Sequence, residues 1–355
     1  MTDSTPAITW RGRILATIFG FIVLVGSAEI GLRFFATHWQ DFDSNRFMQL
    51  VAMPGRPLLI IGTPGFDGWF AQNNGDFRHS IRINADGLRN DEPTSAAHGR
   101  IWVVGDSMTF GWGVAREHGF SEVLARELNE KTYNVAAPGA NVCGYQTLVS
   151  RMPGDARPKA VVLGLVLEND VFPRYDCSSP PLLGDPGLTT GRPDSLASLL
   201  GWVKRWLTAK SAIYNVAVPA IKRIEALNAL LIRVGLIKPE HGYKRFFEEN
   251  QIGDVVRETA REIDGVRKLL PAGSPLVVLL IPARFEIKND DPIYRRMRLE
   301  MRDELTRLAI PSVDVFDDFK VAGFAPTHFA HDGHWSPKGH EIAGRALTRW
   351  FKAHP

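Results

Sequence analysis

An α/β fold, with a mostly parallel sheet between two layers of helices, is what this sequence predicts, and three observations carry the prediction. From Arg100 onward short apolar runs alternate with amphipathic ones, the pattern of strand–helix–strand units. Two of those runs, 160–167 and 276–281, are almost wholly apolar, as strands covered on both faces are. The first run, 101–104, stops abruptly at Gly105-Asp106-Ser107. Such a turn leaves a serine hydroxyl at the carboxyl edge of the sheet, where open α/β folds bind ligands.

The chain begins with a different kind of element. Arg11 and Arg13 precede Ile14 to Ala28, a run without charge. Alone this run spans ~22 Å as a helix, short of a ~30 Å hydrocarbon core; continued through Ala36 it reaches ~34 Å. Glu29 and Arg33 share a helix face and can pair, or reach the headgroups. We read residues 1–36 as an uncleaved single-pass membrane anchor, because hydrophobicity resumes after Glu29. The rival is a cleaved signal peptide with Gly26-Ser27-Ala28 as its small-residue site. Both export the rest of the chain.

Residues 37–99 read as a stalk and a lead-in segment. Pro54, Gly55, Pro57, Gly62, Pro64 and Gly65 punctuate short apolar pieces such as 58–61, and 78–83 alternates before an Asn84-Ala85-Asp86-Gly87 turn. This part is expected to pack against the domain C-terminal to it rather than fold alone. In 100–355, strands are expected at 101–104, 133–136, 160–167, 276–281 and 312–316. Helices are expected at 120–130, 143–152, 293–308 and 338–351. A helical cap insertion, 171–250, interrupts the alternation with a Pro/Ser/Gly-rich loop and then helical patterns at 196–207 and 213–237. Between Leu196 and Lys238 the basic residues Lys204, Arg205, Lys210, Lys222, Arg223, Arg233 and Lys238 face one acid, Glu225, with Trp202, Trp206 and Tyr214 among them. That stretch is either an ordinary insertion with a solvated basic face or a cap that touches anionic headgroups or an acidic polymer.

Composition narrows the function. With 355 residues, 45% apolar and 23% charged, the chain is an ordinary globular protein outside its first helix. A net charge of +3 is too small to argue for nucleic acid. Neither CxxC nor HExxH occurs, so the sequence supports no metal site. What it does hold is the material for nucleophilic acyl transfer. Ser107 needs a base, and His334 in Asp332-Gly333-His334-Trp335-Ser336-Pro337-Lys338-Gly339-His340 is the candidate. Asp332 shares that loop and can hold the imidazole tautomer. Three groups can donate to an oxyanion: the Ser107 N–H, the backbone at Pro138-Gly139-Ala140, and the Asn169 amide, each following a strand.

Those residues resemble the SGNH (GDSL-type) hydrolase family. Gly105-Asp106-Ser107 with Thr109-Phe110-Gly111 is similar to its first block, Asn134 to Gly139 to its second, Glu168-Asn169-Asp170 to its third, and Asp332 to His340 to its last. The resemblance covers roughly 80–352, leaving aside the insertion. It implies a three-layer α/β/α fold of flavodoxin-like type and a serine esterase without a cofactor. Ser107 would be the nucleophile, Ser107, Gly139 and Asn169 the oxyanion donors, and His334 and Asp332 the base and its orienting acid.

Two departures stand out. Leu167 occupies a place where the family commonly has glycine, and Asp332 precedes His334 by two rather than three. The second variant resembles exported relatives, including those linked to polysaccharide O-acetylation. His331 and His340 are rivals for the base, the latter more in keeping with a packing role. The substrate implied is an acyl ester, first of all O-acetyl, on a cell-envelope glycan or lipid, with the catalytic domain on the periplasmic side of the inner membrane. An O-acyltransferase using the same triad and a catalytically silent subunit of a polysaccharide-export machine are the alternatives. Cys143 and Cys177 each follow an oxyanion position, so their loops leave the same sheet edge. They form one disulfide, or remain two buried thiols.

Overall fold

Runs of Val, Ile and Leu with no polar face can sit only where helices cover both sides, and the structure, a computed structural model, puts them at the centre of a five-stranded parallel sheet. It describes residues 9–36, 38–72, 75–171, 173, 177, 196–223, 230, 233 and 248–354. Helix α1 (Trp10–Phe35) has no buried residue and is long and apolar enough to cross a membrane. Two antiparallel hairpins follow: β1 (Met48–Val51) with β2 (Leu59–Gly62), and β3 (Asp67–Ala71) with β4 (Arg78–Arg82).

The sheet comprises β5 (Ile101–Gly105), β6 (Thr132–Ala136), β7 (Ala160–Val166), β8 (Leu276–Ile281) and β9 (Ser312–Asp314), in the order β6-β5-β7-β8-β9. Chain order thus reverses between β5 and β7, and the crevice at that switch point is where a doubly wound sheet binds ligands. Successive strand residues feed opposite cores. Trp102, Val104, Leu163 and Val278 belong to one cluster, and Ile101, Val103, Val162 and Val277 to the other.

Helices complete the layers. After the single turn α2 (Ser107–Phe110) come α3 (Phe120–Leu128), α4 (Val142–Ser150), α5 (Leu196–Lys210), α6 (Ala212–Arg223), α7 (Ile252–Leu269), α8 (Arg284–Asn289), α9 (Pro292–Arg307), α10 (Phe316–Ala322), α11 (Phe324–Thr327) and α12 (Pro337–Ala353). Residues of α4, α7 and α9 fill one cluster and those of α3, α10 and α12 the other. The hairpins pack Phe47, Phe70, Ile81 and Ile83 onto Phe110 and Ala136, so this segment rests on the edge of the sheet that carries Ser107. Cys143 of α4 and Cys177 are disulfide-bonded, with Cα atoms 5.0 Å apart.

One core histidine carries a pH consequence. His340 of α12 is fully buried, accepts a hydrogen bond from the Phe120 N–H at 3.3 Å and has no partner for Nε2 among the described residues. Burial lowers its pKa to about 3. The unfolded chain therefore binds a proton that the folded chain refuses, and stability is lost as pH falls from ~6.5 toward 3. His340→Asn keeps an acceptor near Nδ1 and cannot titrate. Urea denaturation at several pH values should show wild type losing stability on acidification more steeply than the variant, by up to ~1.4 kcal/mol per pH unit. Parallel curves would contradict this.

Candidate active site

The serine is delivered by the end of β5. Gly105 pairs in register with Ala136 of β6, so the chain after β5 and the chain after β6 emerge side by side at one edge. Asp106 then caps α2, its Oδ1 accepting from the Met108 N–H at 2.8 Å. This leaves Ser107 at the first position of the helix, where an N–H has no acceptor within the helix. The hydroxyl itself lies 2.8 Å from His334 Nε2.

His334 is brought there by the loop before α12. An isolated bridge between His328 and Trp335 closes that loop, and Trp335 is buried against Phe319 and Phe120. Gly333 turns the chain with φ +81°, and a side chain there would collide with the Arg284 guanidinium. The turn explains how an aspartate two residues from the histidine serves it: Asp332 Oδ1 meets both the His334 N–H, at 3.3 Å, and the ring Nδ1. Burial works against the charge on Asp332, but the bond to His334, that ring's charge and the Gln72 amide outweigh it and hold the carboxyl at about 2. Asp332 thus stays ionised at any working pH, as an orienting acid must.

The candidate oxyanion donors lie on the neighbouring loops. Gly139 follows β6 with φ +76°, a conformation that favours glycine, and a Cβ at this position would meet nothing within 4 Å. Asn169 follows β7 in a turn made by Asn169 N–H and Asp170 N–H donating to Val166 O at 3.0 and 2.8 Å. Leu167 is fully buried in the core beneath this turn. The Asn169 amide reaches Asp106 Oδ2 at 3.5 Å, so the residue that caps α2 also steadies the amide. Burial raises the Asp106 carboxyl. Asp170, bonded to Tyr145 Oη and the Val166 N–H at 2.8 and 2.7 Å, is raised further by burial and by Asp106. Replacing Asn169 by Ala should lower kcat by ~10²–10³ with KM little changed, if the amide donates to the oxyanion. Steady-state kinetics on a short-chain ester measure this, and an unchanged kcat would place the donor elsewhere.

The structure brings Ser107, His334 and Asp332 into one relay and places Gly139 and Asn169 on flanking loops of the same edge. It separates the rival histidines: His331 is bonded through its N–H and Nδ1 to Asp76, and His340 is buried in α12. Sequence reasoning missed the contribution of the hairpins. The Gln72 amide donates to Asp332 Oδ2, and Asp76 grips the adjacent His331. Trp112 lies 5.8 Å from the His334 ring, between centroids, and packs on Phe47 and Phe70. Glu168, next to Asn169, binds Arg284 at 2.7 Å, and Arg284 lies against Gly333, joining the two sides of the site. Among the described residues no cluster of His, Cys, Asp and Glu is arranged to hold a metal.

Fold and site together define an α/β protein with a Ser–His–Asp relay at the switch point of a parallel sheet. No family model matches the chain, and no curated protein matches it. Among solved structures it is similar to a member of the lipolytic protein G-D-S-L family from Veillonella parvula DSM 2008, at 11% identity over 71% of this chain and 98% of that one, TM-score 0.40. It is likewise similar to a lipase/acylhydrolase from Enterococcus faecalis, at 14% identity over 72% and 96% of the two chains, TM-score 0.39, and to a lipolytic G-D-S-L protein described as putative from Desulfitobacterium hafniense DCB-2, at 11% over 71% and 99%, TM-score 0.37. At such scores the likeness carries no weight for the chemistry, which is read from the residues of the site.

Proposed function

We propose that this chain is an SGNH-type serine esterase, held to the inner membrane by α1 with its catalytic domain on the periplasmic side, that cleaves O-acetyl esters of a cell-envelope glycan or lipid. The observation that carries the reading is the relay from Ser107 Oγ to His334 Nε2 and from His334 Nδ1 to Asp332. Ser107 Oγ attacks the ester carbonyl while His334 takes its proton, and Asp332 stabilises the resulting imidazolium. Negative charge gathers on the carbonyl oxygen, within reach of the Ser107 and Gly139 N–H groups and the Asn169 amide. The C–O bond to the alcohol then breaks, His334 returns the proton to the leaving oxygen, and acyl-Ser107 remains. Water, deprotonated by His334, releases the acid and restores the serine. If a sugar hydroxyl replaces water in that last step, the same residues run an O-acyltransferase.

The test is a series of nitrophenyl esters from acetyl to long-chain acyl, offered to the detergent-solubilised full chain. Turnover confined to the shortest acyl groups supports deacetylation. A long-chain preference would point to a lipase, and no turnover of any ester would contradict the proposal.

A further inference from the structure

The anchor helix does more than tether. Four donors converge on the Glu29 carboxylate near the end of α1: Arg33 Nε at 2.9 Å, Ser211 Oγ at 3.0 Å, Ala212 N–H at 2.8 Å and Ile213 N–H at 3.0 Å. The last two belong to the first turn of α6, so a carboxylate from the anchor caps the helix. Arg33 completes the latch by donating through Nη2 to Lys210 O, the last residue of α5, at 2.6 Å. Arg33 also lies 5.1 Å over the buried Trp39 ring.

Depth gives the latch its meaning. A ~30 Å hydrocarbon core takes ~20 helical residues. Counted from Arg13, the last cation before the uncharged run, that length ends near Arg33. Glu29 then lies within ~6 Å of the membrane boundary. A carboxylate at that depth is costly unless paired, and its partners are the corner between α5 and α6. That corner therefore sits at the boundary with it. Leading away from the corner, α5 carries Trp206 and Trp202 at about 6 and 12 Å of axial rise from Lys210. They are one helical turn apart and are 52% and 48% exposed, large aromatic residues that the described residues leave half open. The exposed Lys210 lies beside them, in a stretch, 196–238, where seven basic residues face one acid.

We propose that α5 is a membrane-interface helix, latched by Glu29 and Arg33 to the end of the anchor, with Trp202 and Trp206 seated at the boundary of headgroups and acyl chains and Lys210 on anionic lipid phosphate. Amphipathic aromatic rings favour that zone, and basic side chains favour an anionic surface. The inference rests on the reading of α1 as a membrane anchor. Its effect is to fix the orientation of the catalytic domain on the bilayer, which a single spanning helix cannot do.

The experiment uses the full chain reconstituted in phosphatidylcholine–phosphatidylglycerol vesicles. The difference in fluorescence between wild type and a Trp202→Phe, Trp206→Phe double variant isolates the two rings. That difference signal should be quenched strongly by lipids brominated along the acyl chain and weakly by aqueous iodide. In a Glu29→Ala background the balance should reverse, while the chain still floats with the vesicles. Iodide quenching without bromolipid quenching in the wild-type chain would overturn the proposal, placing the face in water. Protection from both quenchers would also overturn it, since a second copy would then cover the face. A chain that fails to float with vesicles would sink the anchor reading, and this inference with it.

Discussion

Ser107→Ala is expected to lower kcat by ~10³-fold or more, with folding intact. The size of the loss follows from the chemistry. Without Oγ no acyl-enzyme forms, and what remains is the contribution of binding and the oxyanion donors to attack by water. Folding survives because the side chain is small and, among the described residues, its hydroxyl is bonded to His334 alone. Losing one such hydrogen bond costs about 1 kcal/mol, against a domain stability of roughly 5–15 kcal/mol. Kinetics with the most reactive ester, beside a thermal melt, separate the two effects. A variant that melts with wild type yet retains activity would remove Ser107 from the reaction.

The second large effect is at the base. His334→Ala should cost on the order of 10³-fold or more in kcat/KM, while His331→Ala, whose ring is exposed and held by Asp76, should change it by less than about 3-fold. The contrast matters because the two histidines sit three residues apart in one loop and only the geometry separates them. The pH dependence adds a check. Asp332 is held at about 2, so it stays charged above pH ~4. An acid limb of kcat/KM above that value is therefore not the titration of Asp332. If only the His331 variant is dead, the assignment of this loop is wrong.

The neighbouring Ser107, His334 and Asp332 and the sheet that carries them were legible because each leaves a local mark. Strand β8 has the predicted ends, and the other core strands agree within a residue or two, since unbroken apolar runs have few alternatives. The predicted strand 312–316 ends early at Asp314, whose Oδ1 accepts from the Phe316 N–H at 3.0 Å and starts α10. There a local side-chain bond outweighed the apolar pattern. Helix α7 was missed although Ile252, Val255, Val256, Ala260, Ile263 and Val266 recur at helical spacing and are all buried. It lies between the insertion, 171–250, and the apolar run 276–281, where the predicted elements leave a gap. The pattern at 213–237 is helical over Ala212–Arg223; beyond that, apart from 230 and 233, it lies outside the described residues, as does the loop 173–193 apart from 173 and 177.

The support that the hairpins give the site left no local mark. Gln72 and Asp332 are 260 residues apart, and Asp76 and His331 are 255 apart. Only the fold makes them neighbours, and Gln72 stands in a polar turn that composition alone would leave to solvent. The same holds for Glu29: spacing showed its pairing with Arg33, but nothing in the sequence pointed to the first turn of α6 as its other partner.

The most direct measurement is covalent. A fluorophosphonate reacts with a serine only where a neighbouring base activates it and donors receive the phosphoryl oxygen. Intact mass followed by peptide mapping of the labelled full chain should find one adduct, on Ser107, in wild type and none in Ser107→Ala. An adduct on another residue, or equal labelling of the variant, would contradict the assignment of Ser107 as the nucleophile.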